Sequence, residues 1–226
     1  MCRHTCGKFT QHSSWRDVHA FSQPLVLTGG PDELTVSTPM RFANIIRLNE
    51  AGQREVVSMR WGFAGKGDAN SIRPKHMHAR SETIDRLPTF ANAFTQGRGI
   101  LVVHTFNEGE ELSNGKTKQW MITPNDEKPI AIAVICEKWT NGAETLDTFI
   151  QVTTLANALI STITDRMPAI LQPEDWATWL GEREGGSADV KTVLRTYEDG
   201  GGWTMTEQAP TRRSKAQKPD PQPGLF

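Results

Sequence analysis

Cysteine is scarce in this chain: Cys2, Cys6 and Cys136 are the only three in 226 residues. So sparse and odd a set makes a poor disulfide framework. Long apolar runs are missing too. No stretch approaches the roughly 20 apolar residues that a membrane helix needs, and Met1-Cys2-Arg3-His4-Thr5 lacks the apolar run of a signal peptide. The expectation is a cytoplasmic protein with no membrane partner. An excess of positive charge is also absent, since 25 Lys and Arg face 26 Asp and Glu. Proteins that coat duplex DNA through bulk charge are basic overall. Any nucleic-acid contact here must come from a local groove of cations. No internal repeat is visible.

What is present suits one well-buried domain. Hydrophobic residues make up 37% and charged residues 23%, which favours a core over disorder. Strand-like runs recur at Leu25–Leu27, Asn44–Leu48, Glu55–Met59, Ile100–Val103, Trp120–Ile122, Ile130–Ile135 and Phe149–Val152. Turn signals separate them at Thr28–Pro31, Asn49–Gly52, Ser113–Gly115 and Thr140–Gly142. Helices are expected over His12–Phe21, Pro88–Gln96, Pro173–Leu180 and Ser187–Thr196, the third opening with Pro and two acids in its first turn. The sum is a single α+β domain over residues 1–208, dominated by antiparallel strands with peripheral helices. Residues 209–226 turn rich in Arg, Lys and Pro and read as a flexible tail.

Four clusters can carry chemistry. The first is Thr5-Cys6-Gly7-Lys8-Phe9, with Cys2 and His4 just upstream. A cysteine at a chain terminus joins a thiol and a primary amine on one carbon. With an α-amino pKa near 8, roughly a tenth of such amines are neutral at pH 7, against fewer than about one lysine in a thousand. Such a residue can condense with an aldehyde and close its thiol onto the imine as a five-membered ring. An internal cysteine cannot, because its nitrogen is an amide. Cys136, inside the apolar run from Ile130, reads instead as a buried core thiol.

The second cluster is Lys75-His76-Met77-His78-Ala79-Arg80-Ser81-Glu82-Thr83. If extended, it places His76, His78, Arg80 and Glu82 on one face, either a solvated edge or a site. In the third, the apolar run Ile100–Val103 leads into His104 and Glu108, which share a face by alternation. Glu108 is either a general acid/base or a surface carboxylate. The fourth is Thr164-Asp165-Arg166-Met167-Pro168, where Arg166 is either half of a surface pair or a planar fork suited to phosphate.

In this order the clusters resemble the SOS response-associated peptidase family. Thr5-Cys6-Gly7-Lys8-Phe9 is similar to the family's Met-Cys-Gly-Arg-Phe start, and Met59-Arg60-Trp61-Gly62-Phe63 to its Met-Arg-Trp-Gly-Leu. His78-Ala79-Arg80-Ser81-Glu82-Thr83 resembles Asn-Ala-Arg-x-Glu-Thr, and Thr105-Phe106-Asn107-Glu108-Gly109 resembles Gly-Phe-Tyr-Glu-Trp. Thr153-Thr154-Leu155-Ala156-Asn157 and Thr164-Asp165-Arg166-Met167-Pro168 complete the set. The resemblance implies a β-rich α+β fold around a cationic cleft for single-stranded DNA. It implies capture of abasic sites through a thiazolidine on an N-terminal cysteine, and a peptidase activity that frees that cysteine. Carried over, Cys6 is the nucleophile and Glu108 the proton shuttle. Arg80 and Arg166 grip phosphates with help from Lys8, while Trp61 stacks on a base or serves as a core residue.

Three departures follow. The matching cysteine is residue 6, so either a five-residue propeptide is removed or Cys2 reacts after loss of Met1. The family's asparagine is His78, and its histidine is Thr164, so His78 is a candidate to supply the titratable group. Otherwise the chain is a noncatalytic single-strand binder of the same fold. A rival of another class is zinc held by Cys2, His4, Cys6 and His76 or His78, although the spacing is not a standard ligand pattern. No cofactor or metal is otherwise expected, and a monomer is the default. The terminal Gln222-Pro223-Gly224-Leu225-Phe226 resembles the Gln-x-x-Leu-Phe peptides that dock on the bacterial sliding clamp, with Gln222, Leu225 and Phe226 as the contacts.

Overall fold

A computed structural model describes residues 8–11, 35–63, 74–141 and 144–209. Strands β1 (Lys8–Gln11), β2 (Thr35–Ser37), β7 (Thr105–Glu111), β8 (Thr117–Pro124) and β12 (Trp203–Gln208) form a five-stranded antiparallel sheet in the order β12-β8-β7-β1-β2. A second sheet contains β3 (Phe42–Leu48), β4 (Arg54–Trp61), β5 (His78–Arg80), β6 (Arg98–Val103), β9 (Ile130–Asn141), β10 (Glu144–Leu155) and β11 (Arg166–Pro168). Its pairings run round a closed circuit, β10-β4-β3-β6-β9 and back to β10, so this sheet is barrel-like. Among the described residues only β10 makes parallel pairs, with β4 and β5. The result is the β-rich α+β domain expected.

Alternation along the strands divides the core in two. One face of the barrel-like sheet presents Ile46, Val56, Ile100, Ala133 and Ile150. Helices α1 (Pro88–Gln96), α2 (Trp176–Leu180) and α3 (Ser187–Thr192) cover it, contributing Phe90, Phe94, Trp179 and Val190. The other face presents Ile45, Met59, Trp61, Leu101, Val134 and Phe149, packed with Phe9, Phe106 and Ile122 of the five-stranded sheet. Among the described residues no helix is long and apolar enough to cross a membrane.

Among the described residues, the runs read as strands are strands, mostly longer than their apolar cores. The chain opens the Pro173 segment as a 3-10 turn, Pro173–Asp175, before α2 begins, and α3 ends at Thr192 instead of Thr196. The extended face expected from His76 to Glu82 is cut short: β5 covers only His78–Arg80, and residues 81–86 turn. Nor do His104 and Glu108 share one strand. β6 ends at Val103 in the barrel-like sheet, and β7 starts at Thr105 in the other sheet. His104 is the corner between them, its backbone N–H donating to the Thr10 carbonyl at 3.1 Å. The helix expected over His12–Phe21, the strand at Leu25 and the turn at Thr28 lie outside the described residues.

Candidate active site

β1 brings the N-terminal segment to β7. Lys8 is the Cα partner of Asn107, and Phe9 that of Phe106. Glu108 follows directly, in register with Trp120 of β8 and with no exposed surface. A carboxylate taken wholly out of water is costly unless charge or hydrogen bonds compensate. This placement fits a proton-handling group better than a solvated one. Asn107, beside it, is also buried.

Phe9 lies 5.0 Å from the Trp61 ring, which stacks nearly parallel on Phe149 at 6.2 Å. The His78 imidazole meets Trp61 edge-on at 6.0 Å. The indole N–H donates to the Met77 carbonyl at 3.1 Å, and Trp61 is fully buried. Of the two readings of Trp61, its burial among Phe9, Phe149 and His78 is the placement of a core residue. The next residue, Gly62, explains part of the surrounding motif. Its φ is +115°, and a Cβ there would meet Pro74 at 2.5 Å, so only glycine fits.

Thr164 reaches the same end of the molecule. It lines a cleft of about 460 Å³ with Gly109, Leu112, Thr117, Ile163 and Asp165. A neighbouring cleft of about 490 Å³ shares Leu112 and Thr117 and collects Lys8, Lys116, Lys118 and Asn107. These lysines supply the local positive charge that composition alone withholds. Lys118 also pairs with Glu207 at 3.0 Å and lies 4.4 Å from the centre of the Trp120 ring. Sequence reading passed over Lys116 and Lys118, although Lys116 directly follows the Ser113–Gly115 turn signal and Lys118 lies on the next strand, β8.

The two arginines differ sharply. Arg80 is exposed and forms no ion pair among the described residues. Arg166 is 7% exposed. Its guanidinium donates from Nη1 to Glu82 Oε1 at 2.6 Å, and from Nη2 to Glu82 Oε2 at 3.0 Å and the Thr153 carbonyl at 2.7 Å. That fork is already filled by a bidentate carboxylate. In this placement Arg166 ties β11 to the turn after β5. Burial alone would raise the Glu82 carboxyl. The Arg166 hydrogen bond, with the charges of Arg166 and Arg80, outweighs it and holds the group below the usual carboxylate range.

His76 packs edge-on against Phe90 at 5.3 Å, and burial, helped by Lys75, lowers its pKa. Cys136 is a buried thiol pushed up to about 12 by burial. Cys2, His4 and Cys6 lie outside the described residues. Among the described residues no three His, Cys, Asp or Glu cluster as metal ligands.

Two sheets with a buried carboxylate beside the first strand, next to a lysine-lined cleft, define an α+β protein with a polar site at one end. The chain belongs to the SOS response associated peptidase (SRAP) family, whose model matches residues 5–208. It is 28% identical over 197 residues to the abasic site processing protein YoqW of Bacillus subtilis, spanning 85% of this chain and 88% of that one. It is 22% identical over 174 residues to the abasic site processing protein HMCES of Xenopus tropicalis, spanning 66% of this chain and 52% of that protein. In fold it matches a solved Bordetella bronchiseptica structure with TM-score 0.72 and 21% identity, covering 90% of this chain and all of that one. A Bacteroides thetaiotaomicron structure matches with TM-score 0.71 and 22% identity, over 89% of this chain and 92% of the other.

Proposed function

We propose that this chain processes abasic sites in single-stranded DNA, capturing the ring-opened sugar covalently on Cys6 once residues 1–5 are removed. The single observation that carries this reading is the fully buried Glu108, next to the Asn107 that pairs with Lys8. Cys6 stands two residues before Lys8 in the sequence. Membership of the family and the names of the curated relatives support the same substrate.

The chemistry has three stages. Hydrolysis of the Thr5–Cys6 peptide bond frees the cysteine amine. That amine adds to the sugar aldehyde, and loss of water leaves an imine. The thiol sulfur then bonds to the imine carbon, the thiol proton passes to the imine nitrogen, and a thiazolidine closes. Glu108 accepts and returns protons during addition and ring closure. Thr164 cannot exchange protons near neutral pH, so His78 takes the titratable role. Lys8 and Arg80 hold the backbone phosphates, with Lys116 and Lys118 extending the charged path. The Gln222-Pro223-Gly224-Leu225-Phe226 tail carries the protein to a sliding clamp, and deleting Leu225 and Phe226 should abolish that binding.

Intact mass spectrometry of the mature protein, before and after incubation with an abasic oligonucleotide, is the test. The expected result is a chain starting at Cys6 that gains the mass of the strand less one water. Cys6→Ala and Glu108→Gln should gain none. Equal crosslinking rates for wild type and His78→Asn across pH 5 to 8 would remove His78 from the mechanism. A leader still attached in protein that forms the adduct, with Cys2 equally unreactive, would end the capture chemistry. Binding without adduct would leave a noncatalytic single-strand binder.

A further inference from the structure

Gln151 of β10 is fully buried, and among the described residues neither its amide oxygen nor its amide nitrogen has a hydrogen-bond partner. It interrupts the apolar sequence Phe149-Ile150-Gln151-Val152 in the middle of a core strand. A buried amide left unpaired is destabilising, and an apolar side chain of the same length would carry no such cost.

Its position names the group it serves. Gln151 is the Cα register partner of His78 in the parallel β5–β10 pair. Register partners on adjacent strands project from the same face, about 5 Å apart. The aromatic contacts agree. Phe149, two residues earlier and so on the same face as Gln151, stacks on Trp61, and Trp61 meets His78. Gln151 and His78 therefore stand side by side on the face that looks toward the five-stranded sheet.

We propose that Gln151 is a positioning residue for His78: a turn of its carboxamide out of the unpaired orientation of this structure brings it onto the neighbouring imidazole, whose tautomer and ring orientation it then fixes. The pairing of chemistries is specific. An imidazole has two ring nitrogens, so a bond from one to another group leaves the second for the amide. A carboxamide carries both a donor and an acceptor. It can accept from an imidazole N–H through Oε1, or donate to a bare ring nitrogen through Nε2, by rotating its amide plane. It can thus hold His78 in either neutral tautomer and in the protonated form. The functional consequence rests on the proposed proton-handling role of His78; the positioning itself does not.

The test replaces Gln151 by methionine, similar in length and apolar, and reads the His78 ring nitrogens by nitrogen-15 NMR in the free protein, with His78→Asn providing the assignment. The expected result is a changed tautomer ratio for His78 in Gln151→Met. Its melting temperature should stay close to that of wild type, because the bond given up to His78 is offset by removing a polar group from the core. Crosslinking to an abasic oligonucleotide should fall roughly tenfold, the worth of one hydrogen bond. Combining Gln151→Met with His78→Asn should slow the reaction no further than His78→Asn alone. Unchanged His78 ring shifts overturn the proposal whatever the rate, and an amide satisfied by ordered water alone gives that result. If wild type forms no adduct, the capture chemistry fails while the NMR comparison still decides the role of Gln151.

Discussion

Arg80 and Arg166 occupy neighbouring motifs and carry the same charge, yet they should fail in opposite ways when truncated. Arg80 is exposed without an ion pair among the described residues, whereas Arg166 is buried on Glu82 and Thr153. Arg80→Ala removes no ion pair or side-chain hydrogen bond among the described residues, so its effect on stability should stay within about 0.5 kcal/mol. If Arg80 neutralises one phosphate of single-stranded DNA, its loss should reduce the slope of log affinity against log salt by about 0.7. Raising salt from about 50 to about 200 mM would then weaken wild type about 2.6-fold more than the variant. Arg166→Leu should leave that slope intact. It should cost about 2 kcal/mol, the worth of hydrogen bonds to a charged group, because the partly exposed Glu82 carboxylate can rehydrate. In a chain of this size that is a fall in melting temperature of about 4–8 °C. Fluorescence anisotropy with an intact oligonucleotide at several salt concentrations, paired with thermal melts, measures both. A reduced salt slope in Arg166→Leu without loss of stability, or an unchanged slope in Arg80→Ala, would refute the assignment.

Trp61→Ala should destabilise the fold by about 3–5 kcal/mol, since it empties a fully buried site between Phe9 and Phe149; a melt lowered by about 6–20 °C is expected. Cys136, pushed up to about 12, should resist alkylation at pH 8 in native protein and react only after unfolding, as mass-resolved labelling would reveal. Glu82 has a depressed folded pKa, so its stabilising contribution is present above the unfolded carboxylate pKa and lost as pH falls through the folded value. Glu82→Gln should flatten that part of the acid limb of a stability–pH profile, by an amount muted by solvent because the side chain is 46% exposed.

Much of the scaffold was legible because burial imprints local patterns. Ile130–Cys136 reads as a core strand and is one, and Pro88–Gln96 reads as a helix with proline at its start and is one. Glu108 was legible as a candidate because an acid close behind an apolar run is conspicuous. Its burial was not, because the chain changes sheets at His104 and alternation cannot be carried across that corner. Gln151 did leave a signal, a lone amide in an apolar strand, but its meaning depends on which strand lies beside it.

The sequence by itself determined the β-rich α+β class, most strand positions, the buried state of Cys136 and the family, because these rest on periodicity and on ordered short motifs. Tertiary structure alone decided that Trp61 belongs to the core, that Arg166 is held by Glu82 across 84 positions, and that Gln151 stands beside His78. A side chain's local context records whether it is apolar or charged. Which partner satisfies it is set by contacts between segments far apart in the chain, and no local pattern encodes those.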